Sequence, residues 1–209
     1  MSAKLPEISV ITIVKNLLKS GRSDYMLENV RSVKAQDCPE VEHIIVDGGS
    51  TDGTQDFLRE QGIPFIEKAD RGIYEGMNNA VRVAHGRYIV FLNSDDYFCE
   101  KDGLSRALAA LKQNGADFSY APVYNQDKNG TIVVSKADYY RVFSLMVISH
   151  QGMIVRREWF ERLGGFDESF KMGGDHDFTV RLISGGAKAV KVDSVSYTHL
   201  RAHETGRNL

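Results

Sequence analysis

The chain has 209 residues, 42% of them hydrophobic and 26% charged, with 26 Lys and Arg against 28 Asp and Glu for a formal net charge of −2. This is the balance of a globular protein with one α/β-sized core; it argues against a disordered or collagen-like chain, and the missing basic excess argues against nucleic acid as a partner. Two cysteines, Cys38 and Cys99, and the lack of any apolar run of about 18 residues give no expectation of a disulfide framework, zinc site, signal peptide or membrane span, and imply a cytoplasmic setting with both cysteines in the core.

Ile8, Val10, Ile11, Ile13 and Val14 form a short β-branched run, as expected of a strand covered on both faces. Met26, Leu27, Val30 and Val33 recur at helical spacing, and the run 41–46 is again strand-like, which completes a β-α-β unit. Ser50 or Thr51 is expected to cap a helix carrying Phe57 and Leu58. A short strand over 63–66, a helix marked by Met77, Ala80, Val81 and Ala84, and a fourth strand over 88–92 follow. This alternation predicts an α/β fold with a doubly wound, mostly parallel sheet, helices on both faces, and a ligand crevice beyond the carboxyl ends of the strands, after Val14, Val46, Ile66 and Leu92.

Leu104, Ala107, Leu108 and Leu111 predict one more helix, and the segments 118–124 and 131–135 are expected to pair as a hairpin across a loop ending in Asn129-Gly130. A strand over 153–155, a helix over 158–163 with Trp159 and Phe160 in the core, a Gly-rich loop over 164–174 and a helix through 178–182 complete the pattern. One domain is expected over residues 1–194, its nucleotide-binding half up to about residue 98 and its acceptor and catalytic half after it. The segment Val195–Thr205 resembles one reading frame of a transposase-type sequencing-library adapter and lacks apolar periodicity, so residues 195–209 read as a non-native tail with nothing to anchor it.

Three loops that follow predicted strands carry Asp47, Asp70 and Asp95-Asp96, and all three open onto one crevice of such a sheet. In Val46-Asp47-Gly48-Gly49-Ser50-Thr51-Asp52-Gly53-Thr54 the paired glycines let backbone approach a ligand, and the Asp47 carboxylate can accept from a base N–H or a ribose hydroxyl. The bland reading is a Gly-rich turn with helix caps. A calcium loop fails because position 49 is Gly and no Glu stands at the twelfth place, and neither G-x-G-x-x-G nor G-x-x-x-x-G-K-[ST] occurs. Asp95 and Asp96 directly follow a buried strand, where unpartnered carboxylates cost several kcal/mol; a divalent cation would solve that and would neutralise a departing diphosphate.

Ile11-Thr12-Ile13-Val14-Lys15-Asn16, the Asp47 segment, Asp70-Arg71-Gly72-Ile73-Tyr74-Glu75-Gly76-Met77-Asn78 and Phe91-Leu92-Asn93-Ser94-Asp95-Asp96 occur in an order that resembles family 2 glycosyltransferases with the GT-A fold, of the bacterial exopolysaccharide and O-antigen type. The resemblance implies inverting transfer of a sugar from a nucleotide diphosphate sugar, a UDP-sugar before others, with Mn²⁺ or Mg²⁺, to a saccharide or lipid-linked acceptor at the inner face of the plasma membrane, where any association is peripheral. By motif, Thr12, Asn16, Asp47 and Asp70 line the nucleoside pocket, and Asp95 takes the last position of the metal-binding D-x-D motif. Asn93 stands at its first position where the family more often has Asp, so Asp96 compensates or Asn93 contacts ribose or donor sugar. Asn78, His150 and Gln151 are carried over as donor-sugar or acceptor contacts. Asp175 aligns with the Asp of the family's E-D motif and is the implied general base, Gly174 replaces the usual Glu, and Asp177 is the rival.

Two other functions compete on the sequence alone. A nucleotidyltransferase needs a Gly-rich basic loop after the first strand, which Lys15-Asn16-Leu17-Leu18 is not. A catalytically silent nucleotide-sugar binding module is compatible with Asn93 and Gly174.

Overall fold

The computed structural model describes residues 5–38, 40–126, 131–135, 137–145, 148–193 and 197–200. The first half alternates as the apolar periods require: β1 (Ile8–Val14), α1 (Ser23–Lys34), β2 (Val41–Asp47), α2 (Thr54–Glu60), β3 (Ile66–Glu67), α3 (Ile73–Val81) and β4 (Tyr88–Phe91). Then come β5 (Asp96–Phe98), α4 (Gly103–Asn114), β6 (Phe118–Tyr120), β7 (Val123–Gln126), β8 (Ile132–Ser135), β9 (Met153–Arg156), α5 (Glu158–Leu163), α6 (Gly174–Ser184), β10 (Ala189–Lys191) and β11 (Tyr197–Leu200).

The main sheet has the order β10-β6-β9-β4-β1-β2-β3. Its strands run parallel except β9, which is antiparallel to both β4 and β6. Because side chains alternate across a strand, β1 sends Ile11 to the face covered by α3, α5 and α6, and Ile8, Val10 and Val14 to the face covered by α1, α2 and α4. On the first face Phe91, Phe160, Phe166 and Phe178 form an aromatic knot, with Phe160 stacked on Phe178 at 4.5 Å and Phe91 edge-on to Phe166 at 5.4 Å. That knot is the floor under α6, which carries Asp175. Trp159 and Phe160 are both core residues, as their helix pattern predicts.

Several expectations need correction. Neither Ser50 nor Thr51 caps α2: the capping position is Gly53 at φ 91, and Asp52 Oδ1 accepts from Thr54 N–H (3.1 Å), because the Ser50 hydroxyl is taken by Asp47. The hairpin is β7 with β8 alone, since Phe118–Tyr120 pairs into the main sheet between β9 and β10; the Asn129-Gly130 turn lies outside the described residues. The third strand is the pair Ile66–Glu67, α3 stops before Ala84, and α6 starts at Gly174. Cys38 is buried but Cys99 is exposed. Residues Tyr197–Leu200, read as unanchored, form β11 between β5 and β7, where two strand edges offer backbone groups that any extended segment can pair with.

His43 of β2 sits under α1, its Nε2 3.0 Å from Thr12 Oγ1. Burial, seconded by the Lys34 charge, lowers its pKa from 6.5 to about 4. The unfolded chain therefore binds a proton that the native fold refuses between those two values, and stability falls as pH drops through that window and levels off below it. Urea unfolding at pH 7 and pH 4.5 should show a loss that shrinks in His43→Gln by up to about 3 kcal/mol; an unchanged pH dependence in the variant would show that His43 is not the group refused its proton.

Candidate active site

The loops after β1, β2 and β4 meet at one edge of the sheet, as the parallel topology dictates. The first two are laced together. Asn16, at φ 52 in the left-handed region that Asn tolerates, donates its N–H to Ser50 Oγ (2.8 Å) and accepts from Thr51 N–H on Oδ1 (2.9 Å). Asp47 is fully buried and accepts from Gly49 N–H (3.2 Å), Ser50 N–H (3.0 Å), Gln55 Nε2 (2.8 Å) and the Ser50 hydroxyl. Its oxygens are committed to the shape of its own loop.

Asp70 is held by Lys15, whose Nζ donates to both its carbonyl and Oδ1 at 3.0 Å. Its carboxylate lies flat on two glycines: a Cβ at Gly48 would stand 2.0 Å, and one at Gly76 2.9 Å, from Asp70 Oδ2. A side chain at either glycine would displace the carboxylate from this position. Thr12 is fully buried, and its hydroxyl meets His43 and donates to Asn29 Oδ1 (3.4 Å) beneath α1.

Asn29 was missed by sequence reasoning. It is a fully buried amide of α1, and its Nδ2 donates to the carbonyls of Asn93 (2.9 Å) and Asp96 (3.0 Å), so it fixes the turn that presents Asp95. The available signal was a polar residue three after Met26 and four before Val33, on the buried stripe of the helix. Asp95 is buried and Arg22 Nε stands 3.6 Å from its Oδ2; Asp96 is fully buried, with Gln151 Nε2 at 3.4 Å.

In the second half, Asp175 lies in the first turn of α6, where the helix dipole favours a carboxylate. Its Oδ2 is 2.8 Å from His150 Nδ1, and its Oδ1 accepts from the Tyr74 hydroxyl at 3.3 Å. Burial raises its pKa, but the hydrogen bond and charge of His150, joined by the His176 and Asp175 backbone N–H groups, outweigh it and hold the carboxyl below the ordinary Asp value. Burial first, and the Asp175 charge second, push the Tyr74 phenol up, so it stays a donor. His150 Nε2 in turn lies 3.5 Å from Asn93 Oδ1. The hydrogen-bonded series Asn93, His150, Asp175, Tyr74 thus spans both halves of the chain.

Asn78, carried over by motif, and Asp177, the rival to Asp175, both have side-chain partners in the second half of the chain. Asn78 places its amide on the loop before α6, donating to Phe166 O (2.9 Å) and Glu168 Oε1 (3.0 Å) and accepting from Phe166 N–H (2.9 Å). Asp177 accepts from Arg181 Nε at 2.8 Å. Among the described residues no group of three or more His, Cys, Asp and Glu side chains converges on a metal position. The buried Asp95 carboxylate is a hard oxygen donor, and one or two carboxylates with substrate phosphates suffice for Mg²⁺-type binding, so the donor set fits a cation shared with a diphosphate.

A mostly parallel sheet with acidic loops gathered at its carboxyl edge is the GT-A architecture of nucleotide-sugar transferases. The chain belongs to glycosyl transferase family 2, whose profile matches residues 9–164. A relative described as a PGL/p-HBAD biosynthesis glycosyltransferase, from Mycobacterium bovis, is 32% identical over 167 residues, covering 75% of this chain and 63% of its own. The chain thus spans less than two thirds of that relative's length. Residues 1–349 of S. aureus TarS, solved in complex with UDP-GlcNAc, superpose with a TM-score of 0.75 at 21% identity, over 94% of this chain and 59% of that one. The mannosyltransferase PcManGT from Pyrobaculum calidifontis, in complex with GDP-Man and Mn²⁺, gives 0.74 at 22% identity, over 98% and 59%. Both share the fold.

Asn29→Ala leaves the Asn93 and Asp96 carbonyls without their side-chain donor. It should lower unfolding free energy by about 1–3 kcal/mol and loosen the turn after β4, read as faster amide exchange at residues 93–96 by mass spectrometry; unchanged exchange there would deny Asn29 its bracing role.

Proposed function

We propose that the chain transfers one sugar from a nucleotide diphosphate sugar, a UDP-sugar before others, to a saccharide acceptor with inversion at the anomeric carbon. The observation that carries this is a buried, ionised Asp175 coupled through His150 to Asn93, two residues from Asp95. Proton acceptance and the anionic end of the donor are thereby brought to one place. In this reading the knot of Asn16, Asp47 and Asp70 shapes the nucleoside pocket, with Lys15 beside it as the nearby cation. The UDP-GlcNAc and GDP-Man in the TarS and PcManGT structures support a nucleotide sugar as the donor.

Asp95 would hold Mn²⁺ or Mg²⁺, which supplies positive charge to the diphosphate leaving group. Everything else falls to the chain's own groups. Asp175 carries the negative charge that draws the acceptor proton into the His150–Asp175 pair, and Arg22, beside Asp95, is a second cation at the same carboxylate. A lipid-linked acceptor at the inner face of the membrane belongs to the same reading; no helix among the described residues is long and apolar enough to cross a membrane.

Thermal shift with UDP-GlcNAc, GDP-Man and other nucleotide sugars, with and without Mn²⁺, identifies the donor as the one that raises the melting temperature. Asp95→Ala should abolish metal-stimulated release of nucleotide diphosphate from that donor. Asp175→Asn should keep the donor-induced shift while transfer falls by about 10²–10⁴-fold; retained turnover in Asp175→Asn would remove the carboxylate from the reaction.

A further inference from the structure

Resting on the sugar-transfer reading above, we propose that Arg22 is a diphosphate-binding residue that changes partners: it faces Asp95 in the free protein and turns to the donor's diphosphate once Asp95 holds a divalent cation. Arg22 stands at the start of α1, where its N–H donates to Leu17 O (2.9 Å) and its carbonyl accepts from Met26 N–H (3.0 Å). Asn29 comes two helical turns later and so addresses the same side of the helix. One helix thus reaches the turn after β4 twice, with Asn29 on the Asn93 and Asp96 carbonyls and Arg22 on the Asp95 carboxylate.

Arg22 is loosely held there. Its Nε stands 3.6 Å from Asp95 Oδ2, beyond hydrogen-bond reach, and is buried without a hydrogen-bond partner, while the side chain as a whole stays 38% exposed. A buried N–H with no acceptor is costly, and a guanidinium offers its donors in a rigid fork that matches phosphate oxygens. Two other cations of this edge are committed. Lys15 Nζ donates twice to Asp70, and Arg71 grips Glu75 through Nε (3.0 Å) and Nη2 (3.1 Å). Of these three, Arg22 is the one with a buried N–H still to place.

The exchange of partners follows from charge. Asn93 is neutral and Asp96 is fully buried beside Gln151, so a cation at this turn depends on Asp95 and competes with Arg22 for the same oxygens. Once Asp95 holds that cation, Arg22 is repelled from it, and the diphosphate is the anion within its reach. Removing Arg22 therefore acts with opposite signs. The carboxylate loses a rival and takes a metal more tightly, whereas the diphosphate loses a donor and binds more weakly. A purely bracing role for Arg22 would move both affinities the same way.

The test uses the full chain and whichever of UDP, GDP and dTDP stabilises wild type most, with calorimetry for the nucleotide and electron paramagnetic resonance for Mn²⁺ alone. Arg22→Gln should weaken binding of that nucleoside diphosphate in excess Mn²⁺ by about tenfold or more, with binding of the bare nucleoside unchanged. The same variant should bind Mn²⁺ alone about threefold more tightly or better. Arg22→Lys keeps the charge without the fork, so it should restore the wild-type Mn²⁺ affinity and only part of the diphosphate affinity. Asp95→Asn leaves the guanidinium without its rival acceptor and should bind the nucleoside diphosphate more tightly than wild type in EDTA. Diphosphate affinity of Arg22→Gln within about twofold of wild type, or Mn²⁺ and diphosphate affinities that fall together, overturns the proposal while leaving sugar transfer intact. A wild type that binds none of the three nucleoside diphosphates, with or without Mn²⁺, overturns the nucleotide-sugar reading itself, and the proposal with it.

Discussion

Withdrawing carboxylates from water at one edge of a sheet is the constraint to which the rest of this molecule answers. Asp47, Asp95, Asp96 and Asp175 are all buried, and the Asp70 side chain is 3% exposed. Each would cost several kcal/mol if left unpaired. The fold gives each a different partner, and the partner decides the role. Asp47 is saturated by amides and a hydroxyl of its own loop, so it can only shape that loop. Asp70 and Asp95 are met by the long side chains of Lys15 and Arg22, which are 45% and 38% exposed and can be exchanged for a ligand or a cation. Asp175 is met by an imidazole, a group that can itself take up and release a proton.

Helix α3 ties these solutions together. Its first turns place Gly76 against the Asp70 carboxylate and Tyr74 against Asp175, so one short element sets the position of an acid in each half of the chain. Tyr74, Met77 and Ala80 of α3 pack into the same core as Phe91 and Phe178. A shift of α3 would therefore move both carboxylates at once.

Much of this was legible in the amino-acid sequence. The strands β1, β2 and β4 are apolar runs too short for helices, and the rule that ligands meet the carboxyl ends of parallel strands places the loops of Asp47, Asp70 and Asp95 together without coordinates. Strands β5 and β10 were illegible because three residues carry no period. The partners were illegible for a different reason. Tyr74 and Asp175 are 101 positions apart, Asn29 and Asp96 are 67 apart, and no local pattern encodes such pairings. Sequence reading therefore located the acids at the sheet edge and could not say which side chains were already committed to partners.

Asn93 and Gly174, the positions where the motif resemblance implies Asp and Glu, lie on either side of the His150–Asp175 unit. Gly174 donates its N–H to the Tyr74 hydroxyl at 2.9 Å, and a Cβ there would stand 2.9 Å from Tyr74 Cε2 and 3.0 Å from Cζ. The atoms in the way belong to a buried ring rather than to a side-chain tip that could swing aside. A Glu at 174 would push that ring off Asp175, and the phenol would lose both its contacts to the start of α6. On the other side, an amide at 93 leaves His150 with a single carboxylate. Read separately, each departure subtracts a charge from the site; read against the contacts, the pair leaves one acid, one imidazole and one phenol in a fixed line.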